Sequence, residues 1–173
     1  MIENNQIDYK TLYGSWAGAF GYFQFMPSTM KNYAIDYDKN SYIDLKNNND
    51  AYASAANYLS QIGWNDKLPC FYKINLLNDV PKKYLNVSAK KLHNKKKLKY
   101  FRKYISDEHI LDKKFDNLTT SLITPDKDII PDAETLSPAY IVFDNYEIIL
   151  KWNRSLRFSL AVCTLKDKLK NEL

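Results

Sequence analysis

Three of the four glycines in this 173-residue chain, Gly14, Gly18 and Gly21, fall within eight residues. Glycine is the residue that takes positive φ at no steric cost and lets another group approach the backbone closely. Between and just after these glycines stand Trp16, Phe20, Tyr22, Phe23 and Phe25, with one amide, Gln24, among them. So many rings on so permissive a backbone require a tight turn. That turn has two readings: a buried packing element, or an aromatic wall with a few placed polar groups of the kind that suits a sugar ring.

The next segment begins like a helix. Pro27, Ser28 and Thr29 suit a first turn, and Met30, Tyr33 and Ala34 follow at helical spacing. An acidic stretch from Asp36 to Asp50 interrupts it. Asp36, Asp38 and Asn40 place oxygen side chains on alternate residues, Tyr42 offers a backbone carbonyl at the seventh place, and Ile43 is apolar at the eighth. This is the pattern of an EF-hand-like calcium loop. Ser41 stands where such a loop carries glycine, and Asn47 where it closes with a bidentate glutamate. The other reading is an Asn/Asp turn that needs no metal.

A helix is predicted over Asp50–Ile62, with Ala51, Ala55, Tyr58, Leu59 and Ile62 on one face, Asn49 or Asp50 at its start and Gly63 as its left-handed cap. Pro69 to Leu76 alternates well enough for a strand. Ten lysines and arginines between Lys82 and Lys103 read as a solvated helix face or, less simply, as a nucleic-acid contact. His93 and His109 have no partner at ligand or catalytic spacing. Residues 106–138, with Pro125, Pro131 and Pro138, read as an extended connection.

Near the C-terminus, Ala139–Phe143 and Tyr146–Trp152 read as two β-rich runs around Asp144-Asn145, a predicted hairpin. Ser155 then caps a helix with Phe158, Ala161, Val162, Leu165 and Leu169 on one face.

Gly14-Ser-Trp-Ala-Gly-Ala-Phe-Gly21, followed by Gln24-Phe-Met-Pro-Ser28, resembles the signature of the membrane-bound lytic murein transglycosylase B family. Val142 to Ser155 resembles the C-terminal signature of the same family, so the likeness has two anchors in the right order. It implies an α+β, mostly helical, lysozyme-like fold with a small antiparallel sheet or hairpin. The chain then reads as a single, incomplete domain: a groove motif, calcium-type loop and helix over 14–64, a basic, loop-rich insert over 69–138, and a hairpin plus helix over 139–173. Family members cleave the MurNAc–GlcNAc β-1,4 bonds of peptidoglycan to 1,6-anhydro products. One glutamic acid serves as acid and then base, while the sugar's own C6 hydroxyl attacks. The resemblance implies substrate-binding roles for Ser15, Gln24, Tyr58 and Asn153. Trp152 and Phe158 stand where the family carries tyrosines, and each keeps a stacking face. It also lengthens the metal loop so that Asp50 closes it, giving Asp36, Asp38, Asn40, Tyr42 and Asp50 as candidate Ca2+ ligands.

No catalytic acid can be carried over. Only Glu3 and Asp8 precede the motif as carboxylates, and both lie too close to it to match. The expectation is therefore the C-terminal half of such an enzyme, truncated or split, inactive alone, with peptidoglycan glycan strands as ligand and the acid on a separate N-terminal half. The alternatives are a non-catalytic peptidoglycan-binding module and, more weakly, a basic nucleic-acid-binding protein.

The chain is 45% hydrophobic and 26% charged, enough for a core and too apolar for disorder. Its net charge of +5 suits anionic polymers in general without selecting nucleic acid. Two cysteines far apart, Cys70 and Cys163, are expected as free thiols. No run is long and apolar enough to cross a membrane. Met1 to Lys10 has neither the basic start nor the apolar centre of a secretory leader, although the family works in the periplasm or cell envelope.

Overall fold

The computed structural model describes residues 14–127, 130 and 134–172. The chain divides into two compact units, residues 1–64 and 65–173.

The first unit is a tight turn followed by two helices. Gly21 has φ +74°, and a Cβ there would lie 2.6 Å from the carbonyl oxygen of Leu45. The amide of Tyr22 donates to that same carbonyl at 2.9 Å. Only glycine lets the turn and the acidic loop meet this closely. Phe20 and Phe25 exchange two backbone hydrogen bonds, at 2.9 and 2.8 Å, and are buried. Helix α1 (Pro27–Tyr33) starts on the proline, whose missing N–H costs nothing at that position. Helix α2 (Asn48–Gln61) begins two residues earlier than its pattern suggests, because the Asn47 side chain accepts from the Asn49 amide. Gly63 takes φ +104° beyond its end, and the Trp64 amide donates to Leu59. Polar groups tie the helices together: Ser54 Oγ accepts from the Ile35 amide at 3.0 Å, and Asn57 Nδ2 donates to the Tyr33 carbonyl at 2.9 Å.

The second unit is built on a mixed sheet. Strands β1 (Phe71–Ile74), β5 (Ala139–Val142), β4 (Thr119–Ile123) and β2 (Leu85–Asn86) lie in that order, and β3 (Lys96–Lys97) also pairs with β4. The β1–β5, β5–β4 and β3–β4 pairs are antiparallel, and β2 runs parallel to β4. Ile74, Leu122 and Ile141 pack with Leu98, Phe101, Leu111, Phe115 and Phe143 in one core. Each large apolar side chain buried this way is worth about 1.5–3 kcal/mol. The alternate residues Ser121, Ile123 and Val142 are also buried, so both faces of the sheet are covered.

Four expectations are corrected. Residues 106–138 hold the central strand β4, whose Thr120 to Ile123 are all buried. The lysine-rich run forms no continuous helix. It breaks into a 3-10 turn, β2, β3, a one-turn helix α3 (Leu98–Phe101) and a second 3-10 turn, anchored by buried Leu92 and interrupted at Asn94, where φ is +53°. The hairpin is replaced by β5 and a helix, α4 (Asp144–Trp152), so Tyr146 to Trp152 is not a strand. Asn145, Tyr146, Ile148, Ile149 and Leu150 are buried there, and Asp144 and Glu147 in the first turn favour the positive end of the helix dipole. Cys70 and Cys163 form a disulfide rather than free thiols, with their Cα atoms 6.0 Å apart. It staples helix α5 (Leu156–Glu172) to the residue before β1.

Asn145 closes the entry to this unit. Its Nδ2 donates to the carbonyls of Asn65 and Leu68 at 2.7 and 2.9 Å, and its Oδ1 accepts from the Asn65 amide. Tyr146 donates its hydroxyl to the Leu156 carbonyl at 2.7 Å, which fixes α4 against the start of α5.

Candidate functional site

In the first unit Ser15 is exposed, and its Oγ accepts from the Ala19 amide at 3.1 Å. Trp16 beside it is fully exposed, as no packing residue of its size would be. Gln24 takes φ +51°, an unusual conformation for a residue with a side chain. Its Nε2 donates to the Gly21 carbonyl at 2.8 Å, which steadies the turn and leaves the amide oxygen as an acceptor. Tyr58 is half-buried on α2, with its ring centroid 4.8 Å from Tyr33 and 5.7 Å from Phe25. Burial, and then the neighbouring Tyr33, push its hydroxyl pKa up. The group therefore stays a neutral donor and acceptor. Tyr22 and Tyr52 are exposed as well. Tyr52 was not singled out from the sequence, and its place on the outer face of α2 was the available signal.

The acidic loop brings three of the candidate ligands together. Oxygens of Asp36, Asp38 and Asp50 lie within 4.8 Å of one another. Asp36 accepts from the amides of Asn40 and Ser41, and Asn40 Oδ1 accepts from the amide of Tyr42. Ser41 makes the sharp turn that glycine would make, at φ +75°. Asp50 is fully buried, and its two oxygens accept from Tyr37 at 2.8 Å and Asp44 at 2.9 Å. One carboxylate thus binds backbone on both sides of the turn. Asn47 caps α2 instead of facing the cluster.

In the second unit Trp152, Asn153 and Phe158 come to the turn between α4 and α5. Trp152 ends α4 and is half-buried, the Asn153 side chain is exposed, and Phe158 is 40% exposed in the first turn of α5. Ser155 Oγ accepts from the Phe158 amide, as expected of a cap. The expected apolar face of α5 is out of phase. Leu156, Ser159 and Cys163 are buried, while Phe158, Leu165 and Leu169 face solvent, because the disulfide sets the rotation of the helix. The other candidate residues, Ser15, Gln24, Tyr58 and the acidic loop, belong to the first unit.

With this geometry in hand, solved structures of similar backbone become informative. SltB3 from Pseudomonas aeruginosa, in complex with NAG-NAM-pentapeptide, superposes with a TM-score of 0.81 at 29% identity, covering 98% of this chain and 43% of that one. Escherichia coli Slt35 in complex with calcium gives a TM-score of 0.68 at 25% identity, covering 94% of this chain and 47% of that one. Over 64 residues the chain is 47% identical to membrane-bound lytic murein transglycosylase B of Escherichia coli (strain K12), a stretch that covers 37% of this chain and 18% of that relative. The fold is thus of the α+β, lysozyme-like lytic transglycosylase class. The chain belongs to the transglycosylase SLT domain family, whose pattern matches residues 1–167. It spans about half the length of the solved relatives it matches, 43% and 47% of the two named here.

Proposed function

We propose that this chain is the substrate-holding portion of a peptidoglycan lytic transglycosylase, an enzyme that cleaves MurNAc–GlcNAc β-1,4 bonds to 1,6-anhydro products. The reading rests on the family match over residues 1–167. In the first unit Ser15, Gln24 and Tyr58 would hydrogen-bond glycan; in the second, taken by itself, Trp152 and Phe158 would offer stacking faces and Asn153 an amide.

The chemistry needs a carboxylic acid whose pKa is raised by burial among apolar groups, so that it can protonate the glycosidic oxygen. None of the described glutamates is so placed. Glu147 is paired with Lys95, Glu108 lies 4.0 Å from Arg102, and Glu134 and Glu172 are exposed. Asp50 is buried, but both its oxygens are engaged by backbone N–H groups, of Tyr37 and Asp44, within the acidic loop. Glu3 and Asp8 lie outside the described residues. We infer that the acid is supplied from outside this chain, by a separate N-terminal half. The test is mass spectrometry of peptidoglycan incubated with the purified chain. The expected result is binding without 1,6-anhydro muropeptides; their release by this chain alone would overturn the assignment. Sedimentation with insoluble peptidoglycan covers the reading as a pure binding module, and both readings fail if the chain stays in the supernatant.

Asp36, Asp38 and Asp50, with Asn40 and the Tyr42 carbonyl, would hold Ca2+. Three carboxylates gathered within 4.8 Å repel one another, and a hard divalent cation with oxygen ligands relieves that repulsion. The ion would stiffen the loop, not take part in bond cleavage. The disulfide supports an oxidising compartment such as the periplasm or cell envelope, since disulfides are rare in reducing cytosol.

A further inference from the structure

Three tyrosines of the second unit meet at one edge of its core. Tyr84 and Tyr104 are buried, and Tyr100, in the one-turn helix α3, is half-buried. The Tyr84 and Tyr100 hydroxyls lie 2.9 Å apart. Their ring centroids are 5.6 Å apart, and the Tyr104 ring stands 6.1 Å from that of Tyr100. Three lysines face the cluster. Lys103 Nζ lies 5.1 Å from the centre of the Tyr100 ring and 4.8 Å from that of Tyr104. Lys96 Nζ lies 5.7 Å from the Tyr100 ring, and Lys83 Nζ 5.3 Å from that of Tyr84. None of the three lysines makes a salt bridge among the described residues. Asp79 adds its attraction at Lys103.

Rings alone would fill the same space; the hydroxyls and ammonium groups add a chemistry that filling does not require. When Tyr100 gives up its proton, Tyr84 can donate to its oxygen, and the lysines stand near the new charge. Of the two bonded phenols the charge belongs on Tyr100. Tyr84 is buried, whereas Tyr100 has both solvent and two ammonium groups against its ring. The bond from Tyr84 accordingly holds the Tyr100 phenol below the usual range, against the effect of burial, and Tyr104 and Lys103 add to it. The same bond, and then burial, push the Tyr84 phenol up to about 12. A lower pKa raises the phenolate fraction faster than it weakens the nucleophile, as for thiolates. We propose that the Tyr100 hydroxyl is a nucleophilic modification site of this chain, accepting phosphoryl groups from electrophiles with a good leaving group. The phenol oxygen bonds to phosphorus, the leaving group departs with the electron pair of its broken bond, and the phenolic proton passes to solvent. Charge that develops on the phosphoryl oxygens would meet the ammonium groups of Lys83, Lys96 and Lys103.

The experiment is timed labelling of the full chain with a fluorophosphonate ester, in which the phosphorus–fluorine bond breaks and fluoride leaves. Peptide mass spectrometry locates the adducts. Tyr22, Tyr37, Tyr42 and Tyr52 serve as internal controls, because they are 58%, 64%, 55% and 62% exposed and so more accessible than Tyr100. Tyr100 is expected to be labelled several-fold faster than any of the four at neutral pH. Its rate should also level off at lower pH than that of N-acetyltyrosinamide, whose phenol ionises near pH 10. Tyr84→Phe removes the donor and should bring the Tyr100 rate down to that of the controls. Lys103→Gln changes an exposed side chain; it should keep the melting temperature and still slow labelling at Tyr100, so it decides the matter if Tyr84→Phe does not fold. Labelling in order of exposure, with Tyr37 first, would overturn the proposal. An unchanged Tyr100 rate in folded Lys103→Gln would overturn it too, as would adducts confined to the amines of Lys83, Lys96 and Lys103.

Discussion

Cys70 and Cys163 are bonded across 93 residues of sequence, and both are fully buried. The bond encloses β1 to β5, α4 and most of the first half of α5. A loop of about 100 residues closed in this way removes on the order of 4–5 kcal/mol of unfolded-state freedom. The double variant Cys70→Ser/Cys163→Ser should therefore lose several kcal/mol in urea denaturation. Wild-type protein in excess reductant should melt at the lower temperature too. Identical curves with and without reductant would mean that the bond does not form in solution.

Asp50 ties the acidic loop together by accepting from both the Tyr37 and the Asp44 amides. Replacing it with alanine leaves two amides without their acceptor, at roughly 1–3 kcal/mol each if they stay dry. Asp36→Ala spares those bonds and removes one candidate ligand. Added Ca2+ should raise the melting temperature of the wild type, by an amount that grows with concentration, and should leave Asp36→Ala unchanged. A wild type indifferent to millimolar calcium (on the order of the weaker known sites) would make the loop a plain turn.

Asn145 carries three hydrogen bonds to Asn65 and Leu68 while almost wholly buried. Asn145→Ala should cost about 2–4 kcal/mol, since it leaves buried backbone groups unpaired as well as a small cavity. Asn145→Asp tests the cause. It keeps the shape but removes the two donor hydrogens, so it should be destabilised comparably at neutral pH. Denaturant midpoints of the three proteins decide it.

Tyr146 predicts an alkaline limit. Burial first, and Tyr140 second, raise its pKa well above the usual phenol range, while in the unfolded chain it ionises near pH 10. A raised folded-state pKa means that its contribution is complete below about pH 10 and falls away as pH rises beyond it. Tyr146→Phe should lose about 1 kcal/mol at neutral pH from the bond to Leu156. It should also show a shallower decline in stability above about pH 10 than the wild type. Parallel declines would show that the hydroxyl is not protected.

Much of the first unit was legible because its signals are local. Gly63 ends α2 as its left-handed position suggests, while the cap at the other end is Asn47 rather than the expected Asn49 or Asp50, and Asp36, Asp38 and Asp50 are brought together in one loop. In the second unit the decisive forces are nonlocal. Ile148 and Ile149 suit a strand by propensity, yet they sit in a helix because burial against the rest of the unit sets the spacing of Tyr146, Ile149 and Leu150. Strand β4 lies between polar turns and becomes central only through its partners β5, β2 and β3. No spacing rule pairs two cysteines 93 residues apart, and without that pair the face of α5 was read one position out. For the candidate site, the sequence located Trp152, Asn153 and Phe158 in one stretch.

The central claim is that each unit carries its own glycan-contacting residues, Ser15, Gln24 and Tyr58 in the first and Trp152, Asn153 and Phe158 in the second. Amide chemical-shift mapping with a peptidoglycan tetrasaccharide tests it most directly. The account predicts saturable shifts at Ser15, Gln24, Tyr58, Asn153 and Phe158 and at the Trp152 indole, with little change at Asn145 or across β4. Shifts absent from those positions, or confined to the lysines between Lys82 and Lys103, would contradict it.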